Sequence, residues 1–136
     1  MAATALADSS FLIALISEHD SHHKWARAQA VEYPPAWQTC EAVLSEAFHL
    51  LGPRGWPSIA ALLQRGALLV RFNLGTEQNA VLALMQKYRE LPMSVADACL
   101  VRMTEITADP VLLTTDSDFR LYRRHSRQTI PSAMPD

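Results

Sequence analysis

The chain has no excess of basic charge. Its 12 Lys and Arg stand against 14 Asp and Glu, a formal net charge of -2, so no global positive field draws nucleic acid and any such contact has to be local. Cysteine is scarce: Cys40 and Cys99 lie far apart in the chain and lack metal-type spacing, which argues against a disulfide scaffold and a zinc site. Both are expected as small core residues in a reducing cytoplasm. Glycine is limited to 4 residues, with no Gly-rich phosphate loop and no nucleophile elbow. No uncharged apolar run approaches the roughly 18 residues of a membrane span. The apolar start meets Asp8 without a basic flank, so neither secretion nor membrane insertion is expected. What the chain does have is 49% apolar residues over 136 positions, enough for one packed core and a single domain over 1–136.

Hydrophobic periodicity orders that core. Residues 4–7 form a short apolar run ending at Asp8-Ser9-Ser10, after which Phe11, Leu12, Leu15 and Ile16 recur at helical spacing. A second helix over 22–32 is closed by Pro34-Pro35, and 37–39 makes a very short strand. From Thr39 the residues Val43, Leu44, Ala47, Phe48 and Leu51 form one apolar stripe that Gly52-Pro53 ends. A short helix over 58–65, a buried strand over 68–72, and helices over 76–90 and 94–107 follow, the last opened by a Ser-x-x-Asp capping pattern. A strand over 111–115, a helix over 119–124 and an edge strand at 129–130 complete the reading. Short buried strands alternating with helices indicate an α/β fold of three layers, a central parallel sheet of about four to five strands flanked by helices.

In such sheets ligands bind beyond the carboxyl ends of the strands. Asp8 closes the first strand, and Asp116 and Asp118 follow 111–115. Two further acids sit in otherwise apolar helices: Glu46 beside the 43/47/51 stripe, and Asp97 in the first turn of 94–107. Each has a plainer reading. Asp8, Asp97 and Asp116 or Asp118 are well placed as helix caps, and Glu46 as a half-exposed surface residue. Glu41, near a positive helix end, is read as serving the dipole alone.

The residues that carry these acids resemble a family, the PIN domains, and within it the short VapC-like ribonuclease toxins. The likeness runs through Leu6-Ala7-Asp8-Ser9-Ser10, Thr39 with Ser45-Glu46-Ala47, Ser94-Val95-Ala96-Asp97-Ala98, and Leu113-Thr114-Thr115-Asp116-Ser117-Asp118-Phe119. It implies a three-layer PIN-like fold and a catalytic acidic pocket of Asp8, Glu46, Asp97 and Asp116 holding Mg²⁺ or Mn²⁺, with Asp118 as an auxiliary ligand. It also implies an RNA substrate, a homodimer and a small inhibitory antitoxin. One departure is the loop Ala108-Asp109-Pro110, where many relatives carry a glycine.

Elementary electrostatics agrees. Carboxylates brought within roughly 4 to 8 Å repel by about 2 to 4 kcal/mol per pair at an effective dielectric of 20, and hard divalent cations offset that cost. Oxygen-only ligands favour Mg²⁺ or Mn²⁺ over zinc. Ser9, Thr114 and Thr115 are candidates to orient water or a ligand. Carried on to 128, helical spacing would set Arg120, Arg123, Arg124 and Arg127 on one face as an RNA-binding stripe; the plainer reading is a solvated helix end.

Rival readings remain. His19, His22 and His23 fall in a polar turn and are expected as a solvated loop. Trp25, Trp37 and Trp56 are expected in the core or at a dimer interface. A phospho-acceptor domain needs an acidic pair at the first strand and a late lysine, whereas Asp8-Ser9-Ser10 has one acid and the lysines are Lys24 and Lys87. A PIN-like ribonuclease outside a toxin operon, or a non-catalytic RNA- or protein-binding module of the same fold, stands as the alternative.

Overall fold

The computed structural model describes residues 2–136. The first strand, β1 (Thr4–Ala7), runs into α1 (Ser9–Ile16) and then α2 (His23–Glu32). Strand β2 (Trp37–Thr39), helix α3 (Glu41–Gln64) and strand β3 (Leu68–Val70) follow. Helices α4 (Leu74–Lys87) and α5 (Val95–Ile106) lead to β4 (Pro110–Leu113) and a 3-10 turn over Ser117–Arg120. Three two-residue strands close the chain: β5 (Arg123–Arg124), β6 (Gln128–Thr129) and β7 (Ser132–Ala133).

Five strands form one sheet in the order β3-β2-β1-β4-β7, and every pairing in it is parallel. Strands β1 and β4 are buried almost throughout, as expected of parallel strands covered on both faces by helices. The edges β3 and β7 are short and partly exposed, which limits the unpaired backbone offered to other chains. Helix α1 packs against α2 and α3, while α4 packs against α5. The strand order reverses at β1: β2 lies on one side and β4 on the other, in the register Ala7↔Leu113. The residues that follow these two strands therefore meet at the topological switch point.

The expected break at Gly52-Pro53 is present inside α3, where Gly52 takes φ 67° and ψ -169°. Glycine tolerates that conformation, and Pro53 suits the first turn of the segment that follows. The second segment thus starts directly at Pro53 instead of at 58. Gly66, at φ 76°, ends the helix, with its amide on the Leu63 carbonyl and the Ala67 amide on that of Leu62.

The C-terminal reading is corrected. No helix spans 119–124. Beyond the 3-10 turn, Arg123 and Arg124 pair antiparallel with Thr129 and Gln128, and His125 and Ser126 take positive φ to reverse the chain between them. The edge strand of the main sheet is β7, not 129–130. Buried Phe119, Tyr122 and Ile130 pin this segment to the core, and that tertiary anchoring overrides the helical spacing of the arginines. Trp37 is buried and Trp25 packs edge-on to Phe11, as expected; Trp56 is 42% exposed and stacks on Phe48. Among the described residues no helix is long and apolar enough to cross a membrane.

Candidate active site

Asp8 follows β1 and is only 4% exposed. Its Oδ1 accepts from the Ser9 amide at 2.7 Å, which caps α1. Its Oδ2 accepts from the Thr114 hydroxyl at 2.6 Å and the Ser10 hydroxyl at 3.1 Å. Burial pushes the Asp8 carboxyl above its ordinary value; the Thr114, Ser9 and Ser10 hydrogen bonds oppose that, and the Asp116 charge adds to it.

Asp116 follows β4 and accepts at Oδ1 from the Asp118 amide at 2.9 Å, capping the 3-10 turn. Its own amide donates to the Thr114 hydroxyl at 2.9 Å, and the Thr115 amide donates to Ser10 Oγ at 2.9 Å. Ser10 and Thr114 thus clasp the two strand ends together. Thr115 enters the clasp through its backbone amide. Ser10 is the residue sequence reasoning missed: the signal was its place beside Asp8 in a Ser-Ser pair, but the partner that gives it a task lies 104 residues away.

Asp97 opens α5 in a full capping box, accepting from the Ser94 amide at 3.2 Å while its own amide donates to Ser94 Oγ at 3.0 Å. Its carboxyl is raised to about 6, first by burial and then by the charges of Asp8 and Asp116, against the Ser94 hydrogen bonds that lower it. The capping and acidic-pocket readings are thus compatible: Asp8, Asp97 and Asp116 all take part in capping helical turns, while the charges of Asp8 and Asp116 raise Asp97 and that of Asp116 raises Asp8. Glu46, exposed on α3, is linked to them by the Ser9 hydroxyl, which donates to Glu46 Oε1 and lies 3.4 Å from Asp8 Oδ1. Thr39, buried at the end of β2, donates to the Ala7 carbonyl at 2.9 Å and fixes the neighbouring strand end.

Among the described residues, none of the ion pairs involves Asp8, Glu46, Asp97, Asp116 or Asp118. Nor do any three His, Cys, Asp or Glu side chains close to metal-ligating spacing there. The expected arginine stripe does not form. Arg123 donates to the carbonyls of Arg120 and Tyr122, and Arg124 to the Thr104 carbonyl and the Gln128 side chain, while Arg120 and Arg127 stay exposed. His23 starts α2 with Nδ1 on the Ala14 carbonyl at 2.7 Å, so one of the three turn histidines is a structural anchor. Cys40 and Cys99 are buried and line one small cavity of about 120 Å³.

The chain matches the PIN domain family over residues 5–124. It belongs to the PIN domain family. As a family, PIN domains are nucleases that generally use divalent metals. The fold of this PIN domain is also that of the Mycobacterium tuberculosis toxin VapC20, whose crystal structure is described as that of a sarcin-ricin loop cleaving toxin. The two superpose with a TM-score of 0.76 at 22% identity, over 85% of this chain and 92% of that one. A search of the curated proteins finds no match. All four acids of this PIN domain fall inside the matched region.

Proposed function

We propose that this PIN domain is a metal-dependent endoribonuclease that hydrolyses RNA phosphodiester bonds at Asp8, Glu46, Asp97 and Asp116, and that it is the toxin of a type II toxin-antitoxin pair. The observation that carries the reading is the convergence of Asp8, Asp97 and Asp116 where β1 and β4 end, close enough that the charges of Asp8 and Asp116 raise the Asp97 carboxyl and that of Asp116 raises Asp8, with no basic side chain paired to them among the described residues. Like charges kept together in a stable fold need a counter-charge, and a donor set made of oxygen suits Mg²⁺ or Mn²⁺. Asp118 is the auxiliary ligand in this reading. The toxin assignment draws on the shared fold with VapC20.

In the reaction, Asp8, Glu46, Asp97 and Asp116 would hold the ion, which supplies an activated water and neutralises charge on the scissile phosphodiester. The rest is positioning. The Thr114 and Ser10 hydroxyls and the Ser9 amide keep Asp8 from swinging, and the Ser9 hydroxyl holds Glu46 towards it. The capping bonds at Asp97 and Asp116 set those carboxylates on rigid helical turns before substrate arrives. We further propose that the protein acts in the cytoplasm as a homodimer restrained by a small antitoxin. The deciding experiment is RNA cleavage by purified protein with Mg²⁺ or Mn²⁺, with EDTA, and in Asp97→Asn. Metal-dependent cleavage lost in the variant supports the nuclease; binding of RNA without cleavage under all conditions supports the non-catalytic module instead.

A further inference from the structure

One buried polar group beside the acids has no place in the reading above. Tyr122 lies six positions after Asp116 and is fully buried. Its ring is fixed on two sides, edge-on to Phe119 at 5.4 Å and tilted against Tyr88 at 5.2 Å between centroids. Tyr88 is held in turn by the Arg123 amide, which donates to its hydroxyl at 2.9 Å. A phenol locked in this way has one freedom left, the rotation of its O–H. That hydroxyl donates to Asp97 Oδ2 at 3.3 Å. The Ser94 amide donates to the same oxygen, so neither donor occupies Oδ1.

We propose that Tyr122 is a positioning residue of the acidic site, its hydroxyl and the Ser94 amide together gripping Asp97 Oδ2 so that the carboxylate stays set beside Asp8 and Asp116 with Oδ1 free for a ligand. The inference rests on the metal-nuclease reading and deepens it. A capping box alone ties Asp97 to its own helix. The tyrosine ties it to the segment that follows β4, and so to the part of the chain that carries Asp116 and Asp118. Groups one step removed from a metal that orient its ligands typically affect affinity by about 10- to 100-fold.

The test is Mn²⁺ binding by calorimetry on the full chain, with the metal-free melting temperature and the kcat and KM of RNA cleavage measured beside it. Tyr122→Phe keeps the ring and removes the grip, and is expected to weaken Mn²⁺ binding about 10-fold and to lower kcat more than it alters KM, with little change in the metal-free melting temperature. Tyr33→Phe, whose hydroxyl hydrogen-bonds to none of the acids and does not pack on Tyr122, is expected to bind Mn²⁺ as wild type does. Unchanged Mn²⁺ affinity in Tyr122→Phe would overturn the inference and leave the nuclease reading intact, as would equal weakening in Tyr33→Phe. Wild-type protein that neither binds Mn²⁺ nor cleaves RNA overturns both.

Discussion

The Thr114 hydroxyl donates to Asp8 Oδ2 at 2.6 Å across the seam between β1 and β4, and at the same oxygen atom accepts from the Asp116 amide at 2.9 Å. One fully buried hydroxyl thereby couples a carboxylate after the first strand to the turn that presents another after the fourth. Thr114→Val keeps the shape and removes both bonds. The variant should lose about 1 to 3 kcal/mol of stability in urea denaturation, because Asp8 and the Asp116 amide are left short of a partner. Cleavage should fall with it; full activity and stability in the variant would show that the clasp is dispensable.

The acids should separate from their surroundings by function. Asp8→Asn, Glu46→Gln, Asp97→Asn and Asp116→Asn are each expected to lower RNA cleavage by about 100-fold or more, and Glu41→Gln, exposed at the start of α3, to leave it unchanged. Without metal, Asp97→Asn should be neutral or stabilising, since the amide oxygen of Asn can still accept from the Ser94 amide and the repulsion from Asp8 and Asp116 is relieved. A lower metal-free melting temperature in that variant would mean that the capping bond to Ser94 outweighs the repulsion from Asp8 and Asp116.

The pH dependence has a definite sign. The Asp97 carboxyl is raised from 3.8 to about 6 and that of Asp8 is raised too, both first by burial, so the metal-free folded state holds protons that the unfolded chain releases. Stability from these groups is fully present below the unfolded value near 3.8 and is lost as pH rises through about 6. The melting temperature in EDTA should therefore fall across that interval, less steeply in Asp97→Asn. Adding Mn²⁺ at neutral pH should raise it again, because the ion binds the folded state. A melting temperature flat from pH 4 to 7 would mean that Asp97 titrates as an ordinary carboxylate.

The arginines near the C-terminus divide by contact. Arg124→Ala removes the donors to the Thr104 carbonyl and the Gln128 side chain, and should destabilise the hairpin by about 1 kcal/mol or more. Arg120 and Arg127 are exposed, so replacing both by Ala should leave the melting temperature unchanged. If they contact RNA, the slope of log binding constant against log salt should become shallower by about 1.4, at roughly 0.7 per phosphate on a single strand. An unchanged slope would move the RNA track to other exposed arginines such as Arg54, Arg65 and Arg71.

The sequence by itself determined the elements whose pattern is local. The apolar runs over 4–7 and 111–115 read as buried parallel strands, Gly52-Pro53 as a break, and Ser94 with Asp97 as a capping box, and each is present because its cause lies within a few residues; the run over 68–72, also read as a buried strand, is instead the edge strand β3 (Leu68–Val70), with Val70 exposed because no strand lies beyond it. The order of four acid-bearing motifs was legible for the same reason. Only the tertiary structure decided what those acids do to one another. Parallel pairing of β1 with β4 brings together groups more than 100 positions apart, which is how Ser10 and Thr114 come to share Asp8. It also decided the C-terminal segment, where helical spacing put four arginines on one face. Buried Phe119, Tyr122 and Ile130 hold that chain as a 3-10 turn and a hairpin, since burying large side chains outweighs a short helix's weak intrinsic preference.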